Sequence, residues 1–399
     1  MTARLKLIVA LFFFATINCG TAKVAYSEKF FDNDKIITGA EQMQQYLPML
    51  RNKTVALLVN QTSIVGNTHL VDTLHQLGID IKAIFAPEHG FRGEVDAGAK
   101  ITDGKDAKTG IPIRSIYGKK KKPSSADLAD IDLVVFDIQD VGARFYTYIS
   151  SMHYVMEACA ENEVAFMVLD RPNPNGHYVD GPVLKKNFSS FVGLHPVPVV
   201  HGMSVGEYAQ MINGEGWLAG GKKCKLDVVL CKNYNHNKFY ELPIKPSPNL
   251  PNIRSVYLYP SLCFFEGTSV SVGRGTSTQF QVYGHPTYPL GNHEFKPTPM
   301  PGAKYPLHKD QWCKGYSLVD FPIRQLQQRK QLDLNHLISF YQNFPDKSKF
   351  FNKFFTNLAG TDQLRKQIEA GKSEVEIRAS WAADLKAYKK MRKAYLLYK

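Results

Sequence analysis

The sequence predicts an α/β fold: a parallel sheet with helices on both faces, followed by a C-terminal α+β domain that packs against it. Two observations predict this fold. Before about Tyr240, short apolar runs alternate with amphipathic segments of helical period, and such alternation is typical of βαβ units. After Tyr240, prolines interrupt the chain and the regular alternation stops.

The predicted elements follow one another along the chain. In the first part, apolar runs predict strands at 54–59, 79–85, 133–136, 165–169, 197–200 and 227–230. Amphipathic segments between them predict helices at 69–77, 146–160 and 205–212. In the second part we expect strands at 269–272 and 280–283, and helices near 332–341 and after Thr361. We therefore place one domain at 23–240 and a second at 241–399, with a ligand cleft between them.

Residues 1–22 are predicted to be a secretory signal peptide. Arg4 and Lys6 precede the apolar run from Leu7 to Ile17, and small and polar residues follow it. This run is too short to span a bilayer, and no later stretch reaches the roughly 20 apolar residues that a transmembrane helix needs. Cleavage after Ala22 and lipidation of Cys19 both remain open. We expect a secreted or periplasmic protein, with a membrane-anchored lipoprotein as the alternative.

The chain is basic, with 49 Lys and Arg against 36 Asp and Glu and a formal net charge of +13. Lysines occupy all of 119–122, and the segment 380–399 is also rich in basic residues. Such a balance fits nucleic acid, an anionic envelope polymer or solubility alone. Because no zinc-finger or RNA-binding aromatic motif accompanies the charge, we expect no nucleic-acid partner. An anionic wall polymer suits an exported protein better.

The cysteines and glycines predict neither a metal site nor a cofactor. The six cysteines include no CxxC pair and are too few for a disulfide scaffold, so we expect them to be free and mostly buried. No GxGxxG motif follows the first predicted strand. We therefore expect no cofactor and no bound metal, and the oligomeric state stays open.

Polar residues gather directly after four of the predicted strands. Parallel strands end on one edge of their sheet, where doubly wound folds bind ligands. Helix caps and turns are the alternative for single Asn and Asp residues, but they explain adjacent acidic and basic residues less well. The residues expected at this edge are Asn60 and Gln61; Glu88, His89 and Arg92; Asp137 and Asp140; and Asp170, Arg171 and Asn173.

The segment 202–206 has two interpretations. It matches GxSxG, the turn that carries the nucleophile of α/β hydrolases, and this makes a serine esterase or deacylase that uses Ser204 an alternative function. Glu207 follows Ser204 three residues later, which is the pattern of a capping box at a helix start. We favour the capping box because it accounts for both residues, whereas no spacing selects a catalytic histidine.

Nine short motifs occur in a fixed order along the chain. They are NQT at 60–62, PEHGFRG at 87–93, DIQDVGARFYTY at 137–148, DRPNP at 170–174, HGMS at 201–204, PSPNLP at 246–251, YPS at 259–261, FEGT at 265–268 and GRGT at 273–276. Together they resemble the NamZ family of exo-β-N-acetylmuramidases over most of the chain. The resemblance implies a glycoside hydrolase of family 171, with a Rossmann-like domain, a C-terminal domain and an active site at their interface.

The same resemblance implies a function, and the chemistry of that function together with strand-end position suggests roles for particular residues. It implies release of terminal N-acetylmuramic acid from the non-reducing end of peptidoglycan fragments, in cell-wall turnover and recycling; a non-catalytic wall-binding protein is a further alternative. Glycoside cleavage usually needs two carboxyl groups, and we expect Glu88 as the general acid, with Asp140 or Glu266 as its partner. The substrate, a muramyl saccharide, carries a lactyl carboxylate that an arginine fork suits. The residues expected to bind it are Arg92, Arg144, Arg171 and Arg274, the aromatic Tyr146 and Tyr148, and the polar Asn60, Gln61, His89, Asp137, Asp170, Asn173 and His201.

Overall fold

A computed structural model describes residues 34–88, 90–92 and 103–398. The predicted signal peptide, with Cys19, lies outside the described residues, and so does His89. The strands in the described part are β1 (Val55–Val59), β2 (Ile64–Val65), β3 (Thr68–His69), β4 (Ile81–Ala86), β5 (Gly104–Lys105), β6 (Pro112–Ser115), β7 (Leu133–Asp137), β8 (Ala165–Leu169), β9 (Leu226–Val229), β10 (Val282–His285), β11 (His293–Phe295) and β12 (Cys313–Ser317).

The helices lie between and after these strands, and most of them belong to the second half of the chain. They are α1 (Met43–Leu50), α2 (Leu70–Gln76), α3 (Ser125–Leu128), α4 (Tyr148–Glu161), α5 (Val205–Gly214), α6 (Ile253–Leu262), α7 (Ile323–Gln327), α8 (Asn335–Gln342), α9 (Phe355–Ala359), α10 (Gln363–Glu369), α11 (Glu374–Ser380) and α12 (Ala382–Arg392).

The main sheet has the strand order β5-β6-β4-β1-β7-β8-β9. Its last six strands are parallel, and only β5 at the edge is antiparallel. If only the six parallel strands are counted, in their order along the chain, their order across the sheet is 3-2-1-4-5-6. The order reverses between the neighbouring strands β1 and β7. Ligands of doubly wound sheets bind beyond the carboxyl ends of the strands at such a reversal. In register, Leu58 of β1 lies opposite both Phe85 of β4 and Phe136 of β7, so these three strands end side by side.

Both faces of the sheet are covered, as predicted, because alternate residues of each strand pack into two separate cores. Val55, Leu57 and Val59 of β1 face one core, which includes residues of α1 and α2. Ala56 and Leu58 face the other core, which includes residues of α4 and α5. All five positions are fully buried. The near-continuous apolar strands of the sequence are therefore explained by burial on both sides, and the predicted α/β class is confirmed.

The second half of the chain contributes a three-stranded antiparallel sheet, in the order β10-β12-β11, and the helices from α6 onward. Its apolar residues, such as Phe264 and Phe340, belong to the same core as Phe136 and Met152 of the first half. The two halves therefore pack through one continuous apolar interior, in agreement with the expectation that the C-terminal part packs against the sheet.

Two predicted strands, 197–200 and 269–272, are wrong. Val200 makes only isolated bridges, to Ala143 and Asp180, and Ser271 makes one to Gly284. Val200 bonds only to other loops, whereas Ser271 meets β10 at the single residue Gly284, so neither segment forms a continuous ladder with a neighbouring strand. A short apolar run does not by itself show whether a neighbouring strand is within reach.

Helix α6 was not predicted, because Pro260 lies inside it and proline removes a helical hydrogen bond. Pro260 has no N–H to donate to the carbonyl of Val256, four residues earlier. Asn175, from the other half of the chain, donates to this carbonyl instead, with Nδ2 3.2 Å from the oxygen. Asn252 caps the start of the helix by accepting from the Ser255 amide. A tertiary contact thus replaces the missing local bond.

The five cysteines in the described residues are Cys159, Cys224, Cys231, Cys263 and Cys313, and all are free and buried. This confirms the expectation for these positions. Among the same residues, the helices are all too short or too polar to cross a membrane.

Candidate active site

A pocket opens beyond the carboxyl ends of the central strands, next to the point where the strand order reverses. Its walls come from both halves of the chain. One side carries Glu88, two residues after β4, and the turn that leads into α4; the other carries residues between 247 and 280, from α6 and the loops on either side of it. The lining residues are Glu88, Phe145, Tyr146, Thr147, Tyr148, Ser247, Asn249, Leu250, Tyr259, Arg274 and Phe280.

Glu88 supplies the carboxylate of this pocket and is half-buried. Tyr117 donates its hydroxyl to Oε1 at 2.7 Å, and Thr147 donates to Oε2 at 2.7 Å. The Tyr148 hydroxyl lies 3.4 Å from the Glu88 carbonyl. Burial and the neighbouring Glu88 charge raise the pKa of Tyr117, so this hydroxyl keeps its proton and remains a donor. Each carboxyl oxygen is therefore held by a fixed hydroxyl group.

Tyr146 and Gln61 hold the opposite wall in place. Both donate to the carbonyl of Pro246, Tyr146 through its hydroxyl at 2.6 Å and Gln61 through Nε2 at 3.1 Å. The Tyr146 ring makes edge contacts with Tyr148 and with Tyr259, which comes from α6. These contacts fix the loop that carries Ser247 and Asn249 against the strand ends. The structure therefore brings Tyr146 and Tyr148 to the pocket wall and places Gln61 behind it.

Arg274 reaches the pocket from the second half of the chain. Its Nε donates to Glu266 Oε1 at 2.5 Å, and its guanidinium lies 5.3 Å from the centre of the Phe280 ring. No other hydrogen bond of Arg274 is seen among the described residues. Because Glu266 accepts a hydrogen bond from Nε, the two terminal nitrogens of the guanidinium are available to a ligand. A carboxylate is the group that suits such a fork best.

Asp140 and His201 form a buried pair behind this wall. His201 Nε2 lies 3.8 Å from Asp140 Oδ1, which accepts from the Gly142 amide at 2.6 Å. Burial raises the pKa of Tyr146 well above its usual value, and the nearby Asp140 and Glu88 charges raise it further. Asp140 Oδ2 and His201 Nε2 have no hydrogen-bond partner among the described residues.

Further buried polar atoms in this region also lack a partner within the described part of the chain: Asn60 Nδ2, Gln61 Oε1, Gln139 Oε1 and Asn249 Oδ1. Buried polar groups in native proteins are almost always paired with protein, water or ligand. Those around Asn60, Asp140 and the pocket wall are available to a hydrogen-bonding ligand or to water, and other atoms of this kind lie elsewhere in the described residues.

Asp137 and Arg171, by contrast, satisfy each other. Arg171 Nε lies 2.5 Å from Asp137 Oδ1 and its terminal nitrogen 2.9 Å from Oδ2, and neither side chain is meaningfully exposed. Arg171 also donates to the carbonyl of Ile64 at 3.2 Å. The fork of Arg171 is therefore occupied, and this pair joins β7 to the loop after β8. The structure does not bring either residue to the pocket.

Asp170 and Ser204 secure the start of α5. Ser204 donates to Asp170 Oδ2 at 2.7 Å and accepts from the Glu207 amide, while Glu207 accepts from the Ser204 amide. This is the predicted capping box, and it is confirmed. Tyr398 also donates to Asp170 Oδ2, at 2.6 Å. Ser204 is 1% exposed, so it is out of reach of a substrate and its proton is already committed to a carboxylate.

Asn173 is likewise part of the scaffold. Its Nδ2 donates to the Met203 carbonyl at 2.9 Å and its Oδ1 accepts from the Asn175 amide at 2.8 Å. Gly142 packs directly on this side chain, since an added Cβ would lie 2.2 Å from Asn173 Oδ1. Asn173 is buried and holds three loops at the sheet edge together.

The prediction that Arg144 grips a substrate carboxylate is wrong for this structure. Arg144 is fully buried, and its two terminal nitrogens donate to four carbonyl oxygens, at 2.7 to 2.9 Å. Two of these carbonyls belong to Leu358 and Ala359, at the far end of the sequence. Both terminal nitrogens are therefore occupied, and Nε is buried without a partner among the described residues. Arg144 instead joins the two halves of the protein.

Arg92 is also removed from the pocket. It forms a two-pronged ion pair with Asp106, with its terminal nitrogen 2.9 Å from Oδ2, and a second pair with Asp72 at 3.3 Å. Lys108 adds a further charge on Asp72 at 2.6 Å. Arg92 therefore ties the loop after β4 to α2 and to the loop after β5.

Sequence reasoning missed two residues that touch Glu88. Tyr117 follows β6, a short strand that contains a proline and an arginine and was not recognised. Applying the strand-end rule to that strand would have found it. Thr147 was part of a recognised motif but was not singled out, because nothing in the sequence shows that its hydroxyl faces Glu88. Among the described residues, no three His, Cys, Asp or Glu side chains are grouped as metal ligands.

Known proteins resemble this chain along nearly its whole length. Two family models match it, exo-beta-N-acetylmuramidase NamZ, N-terminal, over residues 55–254, and exo-beta-N-acetylmuramidase NamZ, C-terminal, over residues 257–398. A peptidoglycan beta-N-acetylmuramidase NamZ of Bacillus subtilis strain 168 is 35% identical over 98% of both chains.

Two crystal structures of DUF1343 family proteins from Bacteroides fragilis share the fold. The first is 48% identical, with a TM-score of 0.85, and the match covers 92% of this chain and 99% of the other. The second is 29% identical, with a TM-score of 0.79, and the match covers 92% of this chain and 100% of the other.

Proposed function

The chain belongs to the exo-beta-N-acetylmuramidase NamZ family, and from this premise we propose that it is a glycosidase that releases terminal N-acetylmuramic acid from the non-reducing end of peptidoglycan fragments. The observation that carries the proposal is the position of Glu88. It is a half-exposed carboxylate, held by two hydroxyl groups, in a pocket whose walls come from both of the regions that match the family.

Glu88 is proposed as the general acid that protonates the glycosidic oxygen. Two hydroxyl donors hold the carboxyl group, and the aromatic rings of Tyr146, Tyr148 and Tyr259 limit access of water around it. A fixed carboxyl group in a partly apolar pocket suits proton transfer to a leaving oxygen. The edges of these packed rings give the pocket an apolar wall beside the carboxyl group.

Asp140 is proposed as the second carboxylate. Glu266, the other candidate, is already paired with Arg274 at 2.5 Å, and its charge is used to orient that guanidinium. Asp140 has a buried oxygen that lacks a partner among the described residues, and a histidine lies 3.8 Å away. Asp140→Asn is therefore expected to reduce kcat more than Glu266→Gln, whereas Glu266→Gln acts mainly on KM through Arg274. Equal kcat losses in the two variants would leave the assignment without support.

Arg274 is proposed to bind the lactyl carboxylate, the group that distinguishes muramic acid from glucosamine. Arg274→Lys keeps the charge but removes the fork, and we expect kcat/KM on a muraminide to fall about 10- to 100-fold. The matched measurement uses the N-acetylglucosaminide with the same leaving group. If Arg274 reads the lactyl group, any slow cleavage of that substrate is unchanged, and an equal loss on both substrates contradicts the role.

The decisive test of the activity uses three substrates with the purified protein: a MurNAc-GlcNAc disaccharide, an aryl N-acetylmuraminide and an aryl ester. We expect free muramic acid from the first two and no cleavage of the ester. Folded protein that releases no muramic acid from either would refute the proposal. Ester cleavage that a serine-directed phosphonate abolishes would favour the esterase, although Ser204 is buried and bonded to Asp170.

Export and a role in cell-wall recycling are proposed on separate grounds. The support is the predicted signal peptide and the basic charge of the chain, which suits an anionic wall. The expected outcome is a processed protein, beginning after Ala22 or at a lipid-modified Cys19, in the envelope fraction of the producing cells. An unprocessed N-terminus on a cytosolic protein would contradict export without affecting the proposed activity.

A further inference from the structure

The segment 297–312, here called the platform loop, is firmly held although it contains little regular structure. Its two ends are joined, because the Asp310 amide donates to the Pro297 carbonyl at 2.8 Å. Inside it, Met300 and Ala303 exchange backbone hydrogen bonds around a tight turn, in which Gly302 has a φ of 87°. His308 Nε2 lies 2.7 Å from the Ser269 carbonyl. The loop is therefore preorganised.

The platform loop is bonded directly to the wall of the pocket. Asn249, which lines the pocket, donates to the Gly302 carbonyl at 2.9 Å. Thr298 donates its amide to the carbonyl of Gly275, the neighbour of Arg274, at 2.8 Å. Pro306 packs on Gly275 so closely that an added Cβ there would lie 2.7 Å away. The loop is thus the outer continuation of the pocket wall.

This fixed loop exposes its largest apolar side chains. Tyr305 is 91% exposed, Trp312 63% and Leu307 47%. Large apolar side chains that an ordered loop exposes beside a pocket are suited to binding a partner. A preorganised loop also loses little conformational entropy when it binds. Aromatic rings combine a flat apolar face with a polar edge, and that combination matches the apolar faces and hydroxyl edges of sugar rings.

The charge of the loop adds a second requirement for the partner. The segment 296–314 contains four lysines and one aspartate, and the ammonium group of Lys296 lies 5.9 Å from the centre of the Trp312 ring. A partner that uses both the rings and the lysines is a saccharide that carries carboxylates. Glycan strands with lactyl and peptide carboxylates have this chemistry.

Resting on the proposed function, we propose that the platform loop binds the part of the glycan strand beyond the residue that is released. The preferred substrate is then a strand of several sugars that bears carboxylates, and a free disaccharide uses the pocket alone. Tyr305 and Trp312 provide the stacking surfaces, and the lysines attract the carboxylates. The loop determines which substrate is preferred and takes no part in bond cleavage.

The first experiment compares a MurNAc-GlcNAc disaccharide with strands of six or more sugars that end in MurNAc. In the double variant Tyr305→Ala/Trp312→Ala we expect kcat/KM for the strands to fall about tenfold, with the disaccharide within about twofold of the wild type. The matched control is Leu77→Ala, which truncates an exposed apolar residue just after α2 and should change neither substrate. Equal losses on both substrates, or none on the strands, would overturn the proposal.

The second experiment measures binding without turnover, through the protein's own tryptophans. Of its three, Trp217 is partly buried, Trp381 is 4% exposed and Trp312 is 63% exposed, so quenching by acrylamide acts mainly on Trp312. In a Glu88→Gln background, long strands should protect this fluorescence and the disaccharide should not, and Trp312→Phe should remove the protected signal. Full quenching in the presence of strands that bind would overturn the proposal. A wild type that cleaves neither saccharide would refute the proposed activity, while this measurement would still decide whether the loop binds glycan.

Discussion

Two groups of carboxylates lie at the same edge of the sheet, and they differ in how their hydrogen bonds are met. Asp137 and Asp170, after β7 and β8, are fully buried and are held by Arg171, Ser204 and Tyr398 within the protein. Glu88, after β4, is half-buried and faces a pocket. Asp137 and Asp170 thus have all their hydrogen-bond partners inside the protein, whereas Glu88 also faces a pocket that a ligand can enter.

The difference shows that a position at a strand end does not by itself make a carboxylate catalytic. A carboxylate that is fully buried among internal partners contributes to the rigidity of the edge, and one that faces a pocket can react. On this view the sheet edge has a rigid scaffold that supports Glu88 and Arg274. The scaffold consists of Asp137, Asp170, Arg171 and Asn173. The variants below separate these two groups, beginning with the largest expected effect.

Asp137→Ala should cause the largest loss of stability. It leaves Arg171 buried without its counter-charge, and removal of one partner of a buried ion pair costs about 3 to 5 kcal/mol. Denaturant unfolding should show this loss, and the double variant Asp137→Ala/Arg171→Met should recover part of it. If Asp137→Ala were as stable as the wild type but inactive, Asp137 would belong with the reactive group.

Asp170 should make stability depend on pH. Burial raises the pKa of this carboxyl from 3.8 to about 6, against the opposing effect of its hydrogen bonds. Because the folded state binds the proton more tightly than the unfolded chain, stability decreases as pH rises through the interval from about 4 to 6. The expected decrease is up to about 3 kcal/mol.

The measurement for Asp170 is the free energy of unfolding of the wild type relative to Asp170→Asn, at pH 4 and at pH 7. The wild type should lose stability relative to the variant as the pH is raised, because only the wild type has the buried Asp170 carboxyl to ionise. A relative stability that increases with pH would show that the donors Ser204, Tyr398 and the Gly206 amide stabilise the charged form more than burial opposes it.

Ser204→Ala should have a smaller effect, confined to stability. Loss of a helix cap costs about 1 kcal/mol, and Ser204 caps α5 through the Glu207 amide. Turnover of a muraminide by the folded variant should equal that of the wild type. Complete loss of turnover with unchanged stability would restore Ser204 as a nucleophile and would contradict the division drawn above.

Most of the sheet could be predicted from sequence, because strands buried on both faces have an unmistakable apolar pattern. The strands at 55–59, 133–137 and 165–169 lie within one or two residues of their predicted positions. Segments that depend on distant partners could not be predicted. Helix α6 relies on Asn175 to replace the bond that Pro260 cannot make, and β6 is a short strand of mixed polarity whose neighbour is β4.

The sequence predicts which edge of the sheet carries the site, but not which residues at that edge form it. Strand-end position selected Glu88 and also Asp137, Asp170 and Arg171, because sequence does not show which polar groups face one another. Arg144 illustrates the limit: its four carbonyl partners come from segments as far apart as Pro182 and Ala359. Glu266 and Arg274, which pair with each other, are only eight residues apart, so this contact is far more local than those of Arg144.

The most direct test of this account is Glu88→Gln, measured for kcat and for thermal stability together. Glutamine keeps the size of the side chain but cannot donate an acidic proton, so kcat on a muraminide should fall about 100-fold or more. The melting temperature should stay within about 3 °C of the wild type. The matched control is Glu161→Gln, at the other end of α4 from Thr147, which should leave both values unchanged. Near-normal turnover by Glu88→Gln would contradict the central claim and would move the general acid to Asp140 or Glu266.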